Sequence, residues 1–100
     1  MKTAYAIKFT GQAYKHLEAI SRRDRNLILD AIREQLPQTP DEETRNRKLL
    51  RDNPVADWEL RVGQYRLFYD VDGANRVVRV LAVGRKERNR LIIGGQEVVL

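Results

Sequence analysis

Three runs of alternating apolar and polar residues, between Trp58 and Lys86, dominate the hydrophobic pattern of the chain. Successive side chains of a β-strand point to opposite faces, so each run is typical of a half-buried strand. Turn sequences at Val62–Tyr65 and Asp72–Asn75 separate the runs. The pattern therefore predicts an antiparallel meander of three strands.

The first turn also predicts a register. A two-residue loop at Gly63–Gln64 sets Arg61 directly opposite Arg66, and two facing arginines repel each other by some tenths of a kcal/mol. A phosphate between them would convert that repulsion into binding, whereas a diagonal Glu59–Arg66 ion pair on a solvated face would contribute little. The core face then carries Trp58, Leu60, Val62, Tyr65, Leu67 and Tyr69, and the other face carries Asp57, Glu59, Arg61, Arg66 and Phe68.

The first half of the chain predicts a strand followed by a helical hairpin. Ala4–Phe9 is apolar enough for the strand, Thr10 can cap a helix beginning near Gly11, and Ser21–Asp24 resembles a second capping box. Pro37 ends the second helix. The predicted apolar sides are Ala13, Tyr14, Leu17 and Ile20, then Leu27, Ile28, Ala31, Ile32 and Leu36. Tyr14 is expected at the edge of the core, and His16 is expected in solvent.

These elements predict an α+β fold in a single domain, residues 1–100, with helices on one sheet face and the other face open to water or a ligand. Arg76–Lys86 is apolar on both faces and predicts the central strand. In one of two registers allowed by the second turn, Arg79 lies opposite Phe68 and shares the open face with Arg85. Thr44–Arg51 predicts a turn or short helix, and Gly94–Gly95 predicts a C-terminal hairpin or a tail packed on the sheet.

The amino-acid composition excludes several kinds of functional site. One hundred residues allow one small core, and the absence of cysteine excludes disulfides, thiol nucleophiles and Cys-based metal sites. The single histidine cannot form a histidine cluster. The sequence carries no segment typical of a signal peptide and no apolar run near the ~20 residues of a membrane helix. We therefore expect a cytoplasmic protein that makes no membrane contact.

The charge favours an anionic partner. The net charge is +5, from 19 Lys and Arg against 14 Asp and Glu. The sequence contains neither a glycine-rich phosphate loop, nor a nucleophile elbow, nor an HExxH motif, so it gives no support for a cofactor or a metal. A basic sheet face suits RNA binding, or RNA cleavage without metal, which needs a base, a charge stabiliser and an acid.

Two motifs, LRVGQYRLFY at Leu60–Tyr69 and VLAVGRK at Val80–Lys86, preceded by Lys48-Leu49, resemble the RelE/ParE superfamily of type II toxin–antitoxin toxins. The resemblance covers nearly the whole chain and implies a RelE-like sheet. It also implies a toxin that is neutralised by a cognate antitoxin. Members of the superfamily include ribosome-dependent mRNA endoribonucleases and inhibitors of DNA gyrase.

The resemblance also implies roles for single residues. Arg66 matches an arginine that contacts the scissile phosphate, and Lys86 matches a basic position that stabilises charge. The resemblance does not supply the general base, and among the charged residues of this chain Glu59 is the candidate for that role. The residues expected to bind RNA are Arg47, Lys48, Arg61, Arg85 and Arg88.

The chain departs from the best-studied RelE-type nucleases. Asp57 and Glu59 stand where those enzymes carry lysines, and Ile92 stands where they carry a tyrosine. The groups that can substitute for these are Glu59, Tyr69, Arg88 and Lys48. The favoured interpretation is a metal-independent mRNA endoribonuclease. The alternatives are a gyrase inhibitor without nuclease activity and a non-catalytic antitoxin-binding domain.

Overall fold

The computed structural model describes residues 3–100, so Met1 and Lys2 of the predicted domain lie outside the described part. The helices are α1 (Gly11–Glu18) and α2 (Arg22–Gln35). The strands are β1 (Ala6–Phe9), β2 (Arg47–Leu49), β3 (Trp58–Val62), β4 (Tyr65–Asp72), β5 (Val77–Glu87), β6 (Arg90–Ile93) and β7 (Gln96–Val98). No helix within residues 3–100 is long and apolar enough to cross a membrane.

Both helices begin at the predicted capping residues. Thr10 Oγ1 accepts a hydrogen bond from the Ala13 N–H at 3.1 Å, and Ser21 Oγ accepts one from the Asp24 N–H at 3.3 Å. These bonds satisfy N–H groups that have no partner inside the helix. Helix α2 ends directly before Pro37, with Leu36 as its C-cap residue.

One sheet contains all seven described strands, and the predicted α+β fold class is confirmed. The strand order is β2-β3-β4-β5-β6-β7, and β1 adds to β5 in parallel. Strand β5 is central, as predicted, because β4 pairs along one edge while β1 and β6 share the other. The C-terminal segment forms a hairpin of β6 and β7 around Gly94–Gly95, which is the first of the two predicted alternatives.

The predicted register of the first hairpin is confirmed. Arg61 lies opposite Arg66, and Trp58 lies opposite Tyr69, whose ring it stacks against with centroids 6.1 Å apart. All six residues predicted for the core face pack into the main core under the helices. The helices complete this core with Ala13, Leu17, Ile28, Ile32 and Leu36, which are all buried.

Some of the local predictions are wrong. The segment expected to form a turn or short helix contains β2, which pairs with the outer edge of β3, because an uncovered strand edge offers unpaired backbone groups. Tyr14 is 58% exposed and Leu27 is 54% exposed. Helical spacing allowed both for the core, but neighbouring residues on each helix face the sheet instead.

The second sheet face is also less open than predicted. Phe68 is fully buried in a smaller cluster with Ala56, Ala82 and Leu91. The β6–β7 hairpin supplies Leu91 to this cluster, so the hairpin covers one end of the face. The remaining part of the face is polar and carries the charged residues described below.

A β-bulge at Leu81 decides which side chains of β5 face the helices. Phe68 pairs with Ala82, but the next residue of β4 pairs with Val80, so Leu81 is an extra residue. Arg79 lies opposite Asp70 rather than Phe68, because the second turn pairs Asp72 with Val77, and beyond the bulge Arg85 lies opposite the core-facing Tyr65. Of the two registers left open, the one with Arg79 opposite Phe68 is not formed; Arg79 still lies on the open face, but the bulge turns Arg85 to the helix side.

Gly84 lies on β5 at a position where β6 packs tightly against it. A Cβ added there would lie 2.7 Å from Ile92 O and 2.7 Å from Ile93 Cγ1. We predict that Gly84→Ala lowers the free energy of unfolding by about 1–3 kcal/mol through overpacking, as measured by urea denaturation. The control is Gly73→Ala, whose added Cβ meets no atom within 4 Å. An equal loss of stability in the two variants would contradict the close approach.

Candidate functional site

Charged side chains gather on the sheet face opposite the helices. Lys48 lies opposite Glu59 on the neighbouring strand, and Arg61 lies opposite Arg66. Directly opposed side chains have Cβ atoms about 4.5–5.5 Å apart. Lys86 extends this group on β5, two residues beyond Gly84, which itself lies opposite Arg66. We call these five residues, Lys48, Glu59, Arg61, Arg66 and Lys86, the charged strip.

The cations of the charged strip form no ion pair. Ion pairs among the described residues join Arg33 with Asp30, Arg85 with Glu87, and Arg90 with Glu97. The diagonal Glu59–Arg66 pair considered above is not formed. Burial lowers the pKa of Arg66, the charge of Arg61 lowers it further, and Glu59 raises it. The two facing guanidinium groups are thus left un-neutralised, an arrangement that favours an anion between them.

Backbone carbonyls of the first hairpin orient the Arg66 guanidinium. Its Nη1 donates to Gly63 O at 2.8 Å and to Tyr65 O at 2.9 Å. A guanidinium carries five N–H donors, so these two bonds leave the Nε and Nη2 hydrogens for other acceptors. Arg66 is therefore both anchored to the turn and able to donate hydrogen bonds to two oxygens of an anion such as phosphate.

Glu59 and Lys86 line one small cavity of about 240 Å³ at the edge of the β6–β7 hairpin. Arg90 and Glu97 of the hairpin line the same cavity and form an ion pair at 3.7 Å. Glu59 is half-buried and Lys86 is exposed. The strip thus brings a carboxylate, two ammonium groups and two guanidinium groups to one surface.

The other residues predicted to bind RNA lie elsewhere. Arg47 is buried, and its Nη1 donates to Gln35 O at 2.7 Å and to Thr39 O, so its side chain offers no surface for RNA. Arg85 lies on the helix side, paired with Glu87 at 2.5 Å. Arg88 is exposed at the tip of the β5–β6 turn, with a φ of 55°.

Tyr69 is not available as a substitute catalytic group. It is fully buried on the core side, and its hydroxyl donates to Pro40 O at 2.8 Å. Burial raises its pKa far above the ordinary value of a tyrosine. Its position follows from the register of the first hairpin, which directs Tyr69 toward the helices.

A second polar group, on the helix side, was missed by sequence reasoning. His16 was expected in solvent, but its Nδ1 accepts a hydrogen bond from the Val83 N–H at 3.2 Å, and burial lowers its pKa. The Tyr65 hydroxyl donates to Asp24 Oδ2 at 2.6 Å, and this bond raises the pKa of Tyr65. His16, Asp24, Tyr65 and Arg85 line a cavity of about 600 Å³. No local signal predicts the His16 contact, because its partner is 67 residues away.

Arg47 and Lys48 are neighbours on β2 with opposite surroundings, which allows a matched test. We predict that Arg47→Leu lowers the free energy of unfolding by about 2–4 kcal/mol, because two carbonyl groups lose charged donors. The exposed Lys48→Leu should change it by less than about 0.5 kcal/mol. Urea denaturation measures both. Similar stability of the two variants would show that Arg47 does not hold the connection between α2 and β2.

Comparisons with known proteins identify the family. No curated protein sequence matches significantly. The toxin–antitoxin complex RelBE2 from Mycobacterium tuberculosis contains a chain with 26% identity and a TM-score of 0.71, over 83% of this chain and 99% of that chain. The archaeal RelE–RelB complex from Pyrococcus horikoshii OT3 contains a chain with a similar fold, at 24% identity and a TM-score of 0.67. The match covers 84% of this chain and 97% of that chain. The family model described as the ParE toxin of the type II toxin–antitoxin system parDE matches residues 7–90. The chain therefore belongs to the ParE toxin family, within the RelE/ParE superfamily of type II toxins.

Proposed function

We propose that this toxin is a metal-independent endoribonuclease that cuts mRNA on the ribosome and so inhibits translation. The observation that supports this most is the un-neutralised pair of Arg61 and Arg66 on the charged strip. A like-charge pair on neighbouring strands destabilises the sheet, so a bound anion is the simplest compensation. A phosphate of single-stranded RNA has the negative charge and the pair of non-bridging oxygens that a guanidinium binds with two hydrogen bonds.

The strip carries groups for each step of cleavage. In our scheme Glu59 takes the proton from a ribose 2′-hydroxyl, and the 2′-oxygen attacks the adjacent phosphorus. Arg66, helped by Arg61, stabilises the charge that develops on the phosphate oxygens. Lys86 gives a proton to the departing 5′-oxygen. The products are a 2′,3′-cyclic phosphate and a 5′-hydroxyl end.

RNA on either side of the scissile bond would extend beyond the strip. Lys48 is an exposed cation at one end, and Arg88 at the tip of the β5–β6 turn is an exposed cation beyond Lys86. Such contacts to phosphate hold the strand without reading its sequence, and they make the affinity salt-dependent. Arg47, which is buried, and Arg85, which faces the helix side, do not take part in this proposed binding of RNA.

The proposed physiological partner is a cognate antitoxin. The two solved structures described above are complexes of a toxin with an antitoxin. An acidic antitoxin segment would find the same un-neutralised cations as RNA does, and it could fold as it docks. Neutralisation would then be direct competition for the charged strip.

Inhibition of DNA gyrase by protein contact is the second candidate. It is favoured by the match to the ParE toxin family model and by the acidic residues Asp57 and Glu59, which stand where RelE-type nucleases carry lysines. In this case the charged strip would be a docking surface without chemistry. The two candidates differ in whether new RNA ends appear in intoxicated cells.

Arg66 gives the most direct test of cleavage. We predict that Arg66→Ala, induced in a bacterial host, lowers mRNA cleavage about 10²–10³-fold, because a charge-stabilising donor is lost. Primer extension on cellular mRNAs measures the new 5′ ends. Arg79→Ala is the control, since Arg79 lies on the same face beyond the bulge. Growth arrest by the wild type without new 5′ ends would reject cleavage and direct attention to gyrase supercoiling assays.

A substitution of Arg61 should affect RNA binding and protein stability in opposite directions. We predict that Arg61→Gln raises the free energy of unfolding by some tenths of a kcal/mol, because Arg66 loses a like-charged neighbour, while it weakens binding of a single-stranded oligoribonucleotide. Urea denaturation and fluorescence anisotropy measure the two effects. Arg79→Gln removes a cation that faces Asp70, so it should not stabilise the protein. Loss of stability in Arg61→Gln would contradict the proposed repulsion.

A further inference from the structure

The outer edge of β5 has a gap between its two strand partners. Strand β1 pairs with Val77–Val80 and β6 pairs with Gly84–Glu87, which leaves residues 81–83 with no strand on that side. Val83 is only 3% exposed, and a buried backbone N–H without a partner destabilises the fold. The gap therefore needs hydrogen-bonding groups from another element.

Helix α1 and its N-cap residue supply these groups. The Thr10 N–H donates to Val80 O at 3.0 Å, and Thr10 Oγ1 donates to Leu81 O at 3.3 Å. The Val83 N–H donates to His16 Nδ1 at 3.2 Å. A ring nitrogen accepts a hydrogen bond only when it carries no proton, so this contact requires a neutral imidazole with its hydrogen on Nε2.

The turn between β6 and β7 makes room for the imidazole. The β5–β6 ladder ends at the pair of Gly84 and Ile93, so the next position, beside Val83, is free for a side chain. Gly94 follows, with a φ of +59°, and a Cβ added there would lie 3.2 Å from His16 Nε2. The imidazole thus sits between β5 and the tip of the C-terminal hairpin.

We propose that His16 is a positioning residue that holds the segment Val83–Lys86 of β5 and thereby sets the position of Lys86 relative to Arg66. The distance along the chain is short: Lys86 lies three residues from Val83, and its N–H donates to Gln64 O at 2.7 Å, in the same hairpin turn that anchors Arg66. The hydrogen bond between Val83 and His16 is part of the geometry of β5 and does not depend on any function. The effect of this bond on RNA binding rests on the proposed function.

Two substitutions separate the hydrogen bond from the size of the side chain. In His16→Asn the amide Oδ1 can replace Nδ1 as acceptor, whereas His16→Leu has no acceptor. We expect exchange of the Val83 amide, followed by NMR, to be about tenfold faster in His16→Leu and near the wild-type rate in His16→Asn, since one hydrogen bond contributes roughly one factor of ten. The exchange of the Lys86 amide should also be faster in His16→Leu and near the wild-type rate in His16→Asn. Lys15→Ala, a neighbouring change on α1, is the control.

The same variants test the consequence for the charged strip. The probe is an oligoribonucleotide with 2′-O-methyl groups, which cannot be cleaved by attack of a 2′-oxygen. We expect His16→Leu to bind it several-fold more weakly at pH 7.5, and His16→Asn to restore the affinity. A fold check by circular dichroism shows whether His16→Leu is folded. Should it unfold, the comparison of His16→Asn with the wild type across pH carries the test.

The hydrogen bond between His16 and Val83 should contribute less stability as the pH falls. The folded-state pKa of His16 lies below the value of 6.5 that applies to the unfolded chain, so the unfolded state takes up the proton first as the pH falls. The stability from this contact is present above pH 6.5 and is lost as the pH drops toward the folded-state pKa. Lys15, Asp24, Tyr65 and Arg85 face the same cavity from four elements, and His16→Asn keeps all of them. Wild type should therefore lose more Val83 protection between pH 7.5 and 5.5 than His16→Asn does.

The outcomes separate this proposal from the proposed function. Unchanged Val83 exchange in a folded His16→Leu, or the same pH dependence in His16→Asn and wild type, would overturn the contact. Faster Val83 exchange with an unaltered Lys86 amide would overturn the positioning role. Wild type that fails to bind the oligoribonucleotide would overturn the proposed function alone, because the amide measurements decide the role of His16 without RNA.

Discussion

Every buried backbone N–H and C=O group of the central strand needs a hydrogen-bond partner, and this requirement governs how the other elements assemble around β5. One edge of β5 is filled by β4. The other edge is filled in three parts: β1, then Thr10 and His16 from the helical side, then β6. A single strand thereby fixes the N-terminal strand, the first helix and the C-terminal hairpin at once.

The bulge in β5 then determines which charged side chains of this strand lie on each face of the sheet. Without the extra residue at Leu81, Arg85 would share a face with Arg79, and Lys86 would point toward the helices. With it, Arg85 joins the polar cavity beside Tyr65, and Lys86 joins Arg61 and Arg66. The charged strip is thus a product of backbone register. It conflicts with local electrostatic preference, because two arginines face each other on neighbouring strands.

Much of the fold was predictable because its signals are local. The caps at Thr10 and Ser21, the hairpin at Gly63–Gln64 and its register all follow from neighbouring residues, and each is confirmed. The candidate site was predictable where it depends on that hairpin, which sets Glu59, Arg61 and Arg66 on one face.

The rest depends on contacts between distant segments, which no local pattern encodes. Arg47 lies in a basic run whose other members are exposed, and only the docking of β2 beside α2 buries it. The bulge at Leu81 and the contact of His16 with Val83 likewise exist only in the assembled sheet. Exposure, register irregularities and histidine partners were accordingly the features that sequence reasoning missed.

The central claim is that the facing arginines hold a phosphate of RNA. The most direct measurement is an NMR titration of the wild-type protein with an uncleavable 2′-O-methyl oligoribonucleotide, following backbone amides and arginine side chains. We expect saturable shifts centred on Glu59, Arg61, Arg66, Gly84 and Lys86, with little change on the helices. Absence of binding, or shifts centred on the helical face, would contradict it.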